Sequence, residues 1–448
     1  MDTIFDSLRR LTNSPAFKFV LIGILILLLT IPLLFAYLMV AERQSYANQA
    51  QGSVGQMWGR SQTIRGPFIV TPTTRTEDIR TKDGVEKRAI REYAVFLPED
   101  LKVKSEVKSE IRQRGIFEVP VYRSTIRFEG RFIKPITTVF EQSDITVKWG
   151  EAVLVLTLDD VRGIKRTAAL TMGGGATRQF RAGTGSDGFG QTPGIHVPVS
   201  ESEAKDGFPF SFELALNGSS KLQFVPAGGE TEVKIASDWP HPSFSGAFLP
   251  DEREISDAGF TATWRIPRLA RGEGQTMRFS RIGNMMGTKN FGVDFYQPVK
   301  FYSLAERALK YAVGFIAVIF LSVFVMEIQN RKRVHWIQYM FVGLSLIVFY
   351  LVLIGTAEHI GFDLGYLCAA VATSALIGTY VGAVMRSMQR GATIFGVVAV
   401  IYALLYLLLR VEDYAMLIGS LAAFALLAVA MFATKDVDWS RPSESRQT

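Results

Sequence analysis

Two short stretches carry the residues best suited to chemistry. Glu358-His359-Ile360-Gly361-Phe362-Asp363 sets two carboxylates and an imidazole within six residues, between two apolar runs. Ionisable groups at the edge of an apolar run are functional suspects, and histidine changes charge near physiological pH. Glu358 with His359 also has the makings of half a metal site. A capped loop between two apolar helices accounts for the same residues more simply. The second stretch, Trp239-Pro240-His241-Pro242-Ser243-Phe244, places an imidazole and two aromatic rings among prolines, which suits a rigid ligand groove. Proline also blunts pairing at a sheet edge, and aromatic rings fill core corners. An irregular edge or crossover is therefore the simpler account here too.

No catalytic set assembles around either stretch. The four histidines, His196, His241, His335 and His359, are dispersed, with no H-E-x-x-H and no paired-cysteine spacing, so neither a metal nor a cofactor is expected. Ser243 has His241 nearby, but no orienting acid and no G-x-S-x-G turn. Gly173-Gly174-Gly175 lacks the Lys-Ser/Thr of a phosphate loop. Asp159-Asp160-Val161-Arg162-Gly163 could hold a cation or an internal ion pair, and reads first as a turn. Tyr350, Tyr402 and Tyr406 lie on apolar runs and read as packing residues or interface anchors.

The elements that must position these residues follow from how charge is distributed. The chain has 448 residues, 48% hydrophobic and 20% charged, but charge is frequent over residues 42–310 and sparse over 311–434. Helices as apolar as those of the last third need hydrocarbon around them. Expected spans are 304–326, 336–354, 364–384, 393–409 and 414–432, preceded by one at 19–41. That first run is too long for the apolar core of a signal peptide and reads as an uncleaved anchor. Arg331, Lys332 and Arg333 fill the first connector of the last third. Arg386 and Arg390 fill the third, whereas the Glu358–Asp363 connector has no Lys or Arg. Basic residues mark cytoplasmic loops. The expectation is therefore six spans with a cytoplasmic leader (1–18) and tail (435–448), and residues 42–303 on the outer, periplasmic side. The net charge of +7 fits such loops, and no basic-aromatic motif of a nucleic-acid-binding module is present. The single cysteine, Cys368, leaves the exported domain without an intrachain disulfide.

Between the first two spans the hydrophobic period changes from helical to two. Residues 42–60 read as a continuation of the first helix, broken by Gly66-Pro67. Leu101, Val103, Val107 and Ile111 then alternate with charged residues, as do Phe208, Phe210, Phe212, Leu214 and Leu216 with smaller or polar ones. Asn217-Gly218 reads as a hairpin turn, with a second turn at Gly228-Gly229 before Val233 and Ile235 return. Similar short strands fit 68–71, 93–97, 145–149, 153–158 and 260–266, and Gly173 to Gly194 reads as a long loop. The fold class expected is an α-helical six-span membrane protein with a large, mostly antiparallel β domain.

Several longer motifs resemble one family. Arg114-Gly-Ile-Phe-Glu-Val-Pro-Val-Tyr122, Asp238-Trp-Pro-His-Pro-Ser-Phe-Ser-Gly246, Phe248-Leu-Pro250, Arg307-Ala-Leu-Lys-Tyr-Ala312, Gly343-Leu-Ser-Leu346 and Glu358-His-Ile-Gly-Phe362 follow the order and spacing of the CreD inner-membrane proteins. The resemblance extends from the N-terminal anchor to Asp438-Trp439. It implies a bacterial inner-membrane protein produced under a two-component stress response and linked to envelope integrity, including behaviour toward β-lactams and some colicins. It supplies no catalytic residues. The leading expectation is a non-catalytic protein of the lipid bilayer whose periplasmic domain binds an envelope component or a partner protein. A transporter or lipid-handling module with Glu358, His359 and Asp363 at its outer lip is the alternative, weakened by spans nearly bare of mid-depth polar groups. An enzyme acting on lipid or peptidoglycan is a more remote one.

Overall fold

The computed structural model describes residues 15–81, 84–137, 140, 145–173, 175–272, 274–278, 289–295, 301–330, 334–411 and 415–435. Gly174, Arg331, Lys332, Arg333, Asp438 and Trp439 of the sequence reading lie outside them. The chain divides into two compact units, Asn48–Pro298 and the pair Met1–Ala47 with Val299–Thr448.

The second unit is helical. Its helices are α1 (Pro15–Trp58, which continues into the β unit), α2 (Phe301–Asn330), α3 (Trp336–Ile360), α4 (Phe362–Val384), α5 (Met388–Arg410) and α6 (Ala415–Thr434). Five of them, α1 to α5, are long and apolar enough to cross a membrane. In α1 the buried residues Ile22, Leu25, Leu29, Leu33, Ala36 and Val40 form one stripe at helical spacing. The opposite face, with Leu27, Leu28, Ile31, Leu34, Phe35 and Leu38, is exposed and equally apolar. Apolar side chains inside and outside together identify a helix whose solvent is lipid. Leu29 packs onto Gly343 of α3, and Gly378 and Gly382 of α4 meet Gly391 of α5 backbone to backbone. Small residues at such crossings let dispersion contacts hold helices together where no hydrophobic effect is available. The start of α3 is closed by His335, whose Nδ1 accepts from Ile337 N at 3.3 Å while Gln338 Oε1 accepts from His335 N at 2.8 Å.

The β unit contains β1 (Gln62–Thr81), β2 (Gly84–Phe96), β3 (Asp100–Arg114), β4 (Phe117–Ile133), β5 (Ile145–Val147) and β6 (Val153–Leu158). After these come β7 (Ala169–Met172), β8 (Thr177–Gln179), β9 (Arg181–Ala182), β10 (Gly194–Pro198), β11 (Gly207–Ser219) and β12 (Lys221–Val225). The last six are β13 (Glu230–Ser237), β14 (Pro242–Gly246), β15 (Glu252–Ser256), β16 (Gly259–Pro267), β17 (Thr276–Arg278) and β18 (Phe291–Phe295). Among the described residues they form a ten-stranded sheet, β14-β18-β12-β1-β6-β10-β9 with β2, β5 and β17 attached, and an eight-stranded sheet, β15-β16-β13-β3-β4-β11-β7-β8. Pairing is antiparallel except for β1 with β12 and β3 with β13. Alternate residues of β11 (Phe208, Phe210, Phe212, Leu214, Leu216) are buried, and the Phe212 ring stacks on Phe128 at 4.6 Å. Each such phenylalanine contributes about 1.5–3 kcal/mol by leaving water.

Several local expectations are corrected. The strands around 68–71 and 93–97 are segments of much longer strands, because β1 and β2 continue as a hairpin whose outer half is polar. Helix α1 ends at Trp58, ahead of Gly66-Pro67, where Gly59 takes φ 142° and passes close to the Asn217 carbonyl. Asn217-Gly218 is no turn: both residues pair within β11, opposite Arg123 and Tyr122. Glycine is needed there because a Cβ would overlap the Tyr122 hydroxyl, and the chain turns instead at Ser220, with φ 63°. Gly228-Gly229 does not close a hairpin either, since β12 lies in one sheet and β13 in the other. The Gly173–Gly194 loop contains β8 and β9. Ile111 continues the buried face of β3 but is itself 49% exposed.

Candidate functional site

In the helical unit the ionisable side chains gather at helix ends. Glu358, near the end of α3, accepts from the Tyr302 hydroxyl at 3.0 Å, and Arg43 Nε of α1 lies 3.8 Å away. One turn along α2 from Tyr302, Glu306 accepts from Tyr37 at 3.2 Å and pairs with Lys310 at 2.9 Å. Asp363, in the first turn of α4, accepts from the Tyr406 hydroxyl at 2.9 Å and pairs with Arg410 at the end of α5. These are helix-to-helix ties: α1 and α2 with α3 in one case, α4 with α5 in the other. The three residues singled out in sequence are thus split among separate environments. Glu358 is nearly buried and Asp363 belongs to another pair. His359 is exposed, with no hydrogen bond or ion pair among the described residues. No group of three or more metal-ligating side chains occurs among the described residues.

The sequence reading missed Glu327. It is 6% exposed near the end of α2, and it pairs with Lys18 of α1. It also accepts from Val334 N at 3.0 Å and from the Tyr339 hydroxyl of α3 at 2.9 Å. One carboxylate therefore joins α1, α2 and α3. A lone acid one residue beyond the apolar window was the available signal, and its place beside Arg331-Lys332-Arg333 hid it. Between the helix ends, hydroxyls make the hydrogen bonds that link α4 with α5. Tyr366 donates to the Tyr402 carbonyl at 2.6 Å, Thr373 Oγ1 lies 3.2 Å from the Tyr402 hydroxyl, and Phe349 packs against Tyr402 at 4.2 Å. Ser374 Oγ is buried without a hydrogen-bond partner among the described residues.

In the β unit the Trp239–Phe244 stretch serves the core. The Trp239 indole is buried, donates to the His241 carbonyl at 3.0 Å and meets the Phe295 ring edge-on. Phe244, on β14, sets its ring edge-on to Phe260 and Trp264. The His241 side chain is exposed, so the three residues do not converge on a common space. Asp160 is the better-organised polar centre. Arg162 grips its carboxylate through Nε and a terminal nitrogen, each at 2.9 Å, while the backbone N–H groups of Arg162 and Arg60 donate at 3.1 and 3.3 Å. Burial alone pushes the Asp160 carboxyl up; the hydrogen bonds from Arg162 and these amides outweigh it and leave its pKa below the usual carboxylate value. Glu203 is arranged similarly. Burial raises its pKa, and the Ser200 cap together with a two-pronged Arg178 lowers it further than that. Beside this pair lies an open hollow of about 600 Å³, lined by Arg178, Phe180, Arg181, Pro198 and Ser200. Nothing in the spacing of these residues pointed to it.

Comparison with known proteins decides the family. The family model described as "Inner membrane protein CreD" matches residues 14–440. The chain belongs to the CreD family. It is 32% identical over 418 residues to the Inner membrane protein CreD of Escherichia coli (strain K12), covering 92% of this chain and 91% of that protein. A crystal structure of a mutant M1 zinc metallopeptidase from Deinococcus radiodurans, bound to a Tyr-Ser-Ala substrate, matches 39% of this chain and 40% of its own. At 10% identity and a TM-score of 0.21, that likeness carries no argument. As a CreD-family chain with five apolar helices and a large β domain, this is a multi-pass inner-membrane protein in contact with the lipid bilayer.

Proposed function

We propose that this CreD-family protein is a non-catalytic component that supports envelope integrity and the response to envelope stress, including β-lactams and colicins. In this reading it has six spans, with α6 as the last. Both termini are cytoplasmic, and residues 42–303 are periplasmic and bind an envelope component or partner protein. The observation that carries the proposal is the placement of charge in the helical unit. Glu306 (through Tyr37), Glu358 and Asp363, and likewise Glu327, are each spent on ties between helices, and aromatic rings and hydroxyls pack between those levels. A conduit needs polar groups convergent near mid-depth. A platform needs helices locked together at their ends. The pattern supports the platform, and recognition then falls to the β domain.

The test is made in intact cells of the natural host. Removing residues 60–295 while keeping all helices should reproduce the envelope phenotype of a complete deletion. Photo-crosslinkers on exposed β-domain positions such as Arg181 should capture envelope components. Wild-type β-lactam and colicin behaviour without the domain would overturn the proposal.

A further inference from the structure

The chain enters the β unit through residues 48–58 of α1, and contacts on this segment fix its direction. Trp58 Nε1 donates to the Tyr122 carbonyl at 3.2 Å, and Val54 packs with Val119 and Val121. Gly59 lies against the Asn217 carbonyl and Gly55 against the Ser219 hydroxyl, and Asn217 and Ser219 pair with Arg123 and Val121, so stepping back along the helix means stepping from Arg123 toward Val121 along β4. Continuing the same way, β4 runs out into its tight turn with β3 at Gly115-Ile116. The tip of this hairpin lies on the N-terminal side of the helical segment 48–58, within the same unit.

The composition of the tip matches that direction. Ile116 is 47% exposed, and Ile111 stands exposed on the face whose Leu101, Val103 and Val107 are buried. Cations gather behind them, around the Trp58 ring. The guanidiniums of Arg112 and Arg123 lie 4.6 and 5.1 Å from the Trp58 ring centroid, and Lys165 Nζ lies 5.8 Å from it. Lys108 and Arg114 are exposed alongside. Opposing carboxylates are fewer: Glu110, which pairs with Arg112 at 2.9 Å and Arg123 at 3.2 Å, Glu118, and Asp238, which accepts from Ser109. Exposed isoleucines with arginines behind them are what an element resting in the interfacial layer of a bilayer needs. The aliphatic groups reach the acyl boundary while guanidiniums meet phosphates.

We propose that the β3–β4 hairpin tip is a second, non-spanning membrane contact, in which Ile116 and Ile111 enter an anionic lipid surface and Arg112 and Arg114 bind its phosphates. Because α1 already tethers the domain to the bilayer, the hairpin faces a high local concentration of lipid, and weak individual contacts suffice. The contact stands apart from the partner binding proposed above and is independent of which side of the membrane the domain occupies.

The test uses the full-length protein with Cys368→Ser, in vesicles of phosphatidylethanolamine and phosphatidylglycerol. An environment-sensitive fluorophore is placed on Ile116→Cys or, as control, on Ser202→Cys. Ser202 precedes β11, whose Gly207 pairs with Ile133. It therefore lies at the other end of β4, about 50 Å away at the rise of an extended strand. Brominated phosphatidylglycerol should quench the probe at 116 by about twofold or more and leave that at 202 unchanged. Adding Arg112→Gln with Arg114→Gln should remove most of the quenching. An unquenched probe at 116 overturns the proposal, whether its emission is that of water or is blue-shifted by packing on protein. Quenching that survives the double substitution overturns the assignment of the phosphates to these arginines.

Discussion

Asp160 illustrates how one side chain can hold a junction. Its carboxylate serves the Arg162 guanidinium and two backbone amides, and its carbonyl accepts from Gln62 Nε2 at 2.9 Å, joining the start of β1 to the end of β6. Asp160→Asn keeps the shape but loses the charge, and should cost about 1–3 kcal/mol at neutral pH. The sign of the pH dependence follows from the lowered pKa of the folded protein. The contribution is complete above the unfolded-chain value, near 4, and is lost as pH falls through the lower folded value. Thermal unfolding of the full chain in detergent, followed by tryptophan fluorescence, should show a gap between wild type and Asp160→Asn at about pH 7 that narrows as pH falls below about 4. A gap independent of pH would mean that the charge contributes nothing.

Among the elements, β11 shows where sequence is a good guide and where it stops. The alternation from Phe208 to Leu216 is legible because one face of the strand is in a core, and burial imposes the period. Asn217-Gly218 misleads because its local preference for a turn is overridden by a distant contact, the Tyr122 ring lying against Gly218. Gly218→Ala should therefore destabilise the β unit by about 1–3 kcal/mol through overpacking. An unchanged melting temperature in the assay above would show that Tyr122 does not occupy that space. The outer half of the β1–β2 hairpin escapes for the opposite reason. Residues such as Thr76, Glu77, Arg88 and Lys87 are polar on both faces, so no period marks them. In the helical unit the apolar runs are plain, yet Glu327 is not, because composition cannot tell a buried carboxylate at a helix end from a solvated one in a loop. Of the candidate site, the sequence shows that Glu358, His359 and Asp363 are adjacent. Only the fold shows Tyr302, Arg43, Tyr406 and Arg410 beside them.

At the scale of the molecule, the ties between helices carry a topological consequence. Lys18 lies in the first turn of α1, Glu327 in the last turn of α2, Val334 just before α3 and Tyr339 in its first turn, so the contact gathers these three ends at one side of the helical unit. Asp363 opens α4 and Arg410 closes α5, which gathers those ends as well. Up-and-down helices with short connectors must alternate in this way, and the basic connectors supply the sign. With Cys368→Ser as background, a cysteine at His359 should react with a membrane-impermeant maleimide added to intact spheroplasts, as should one at Ser202 in the β domain. A cysteine at Met388, exposed at the start of α5, should react only after the membrane is opened. Counting from an N-terminus inside, one crossing precedes Ser202, three precede His359 and four precede Met388. Labelling of residues 359 and 388 from the same side would break the alternation. Labelling of 388 alone would keep it but invert the whole protein, moving the β domain and the proposed binding to the cytoplasmic face.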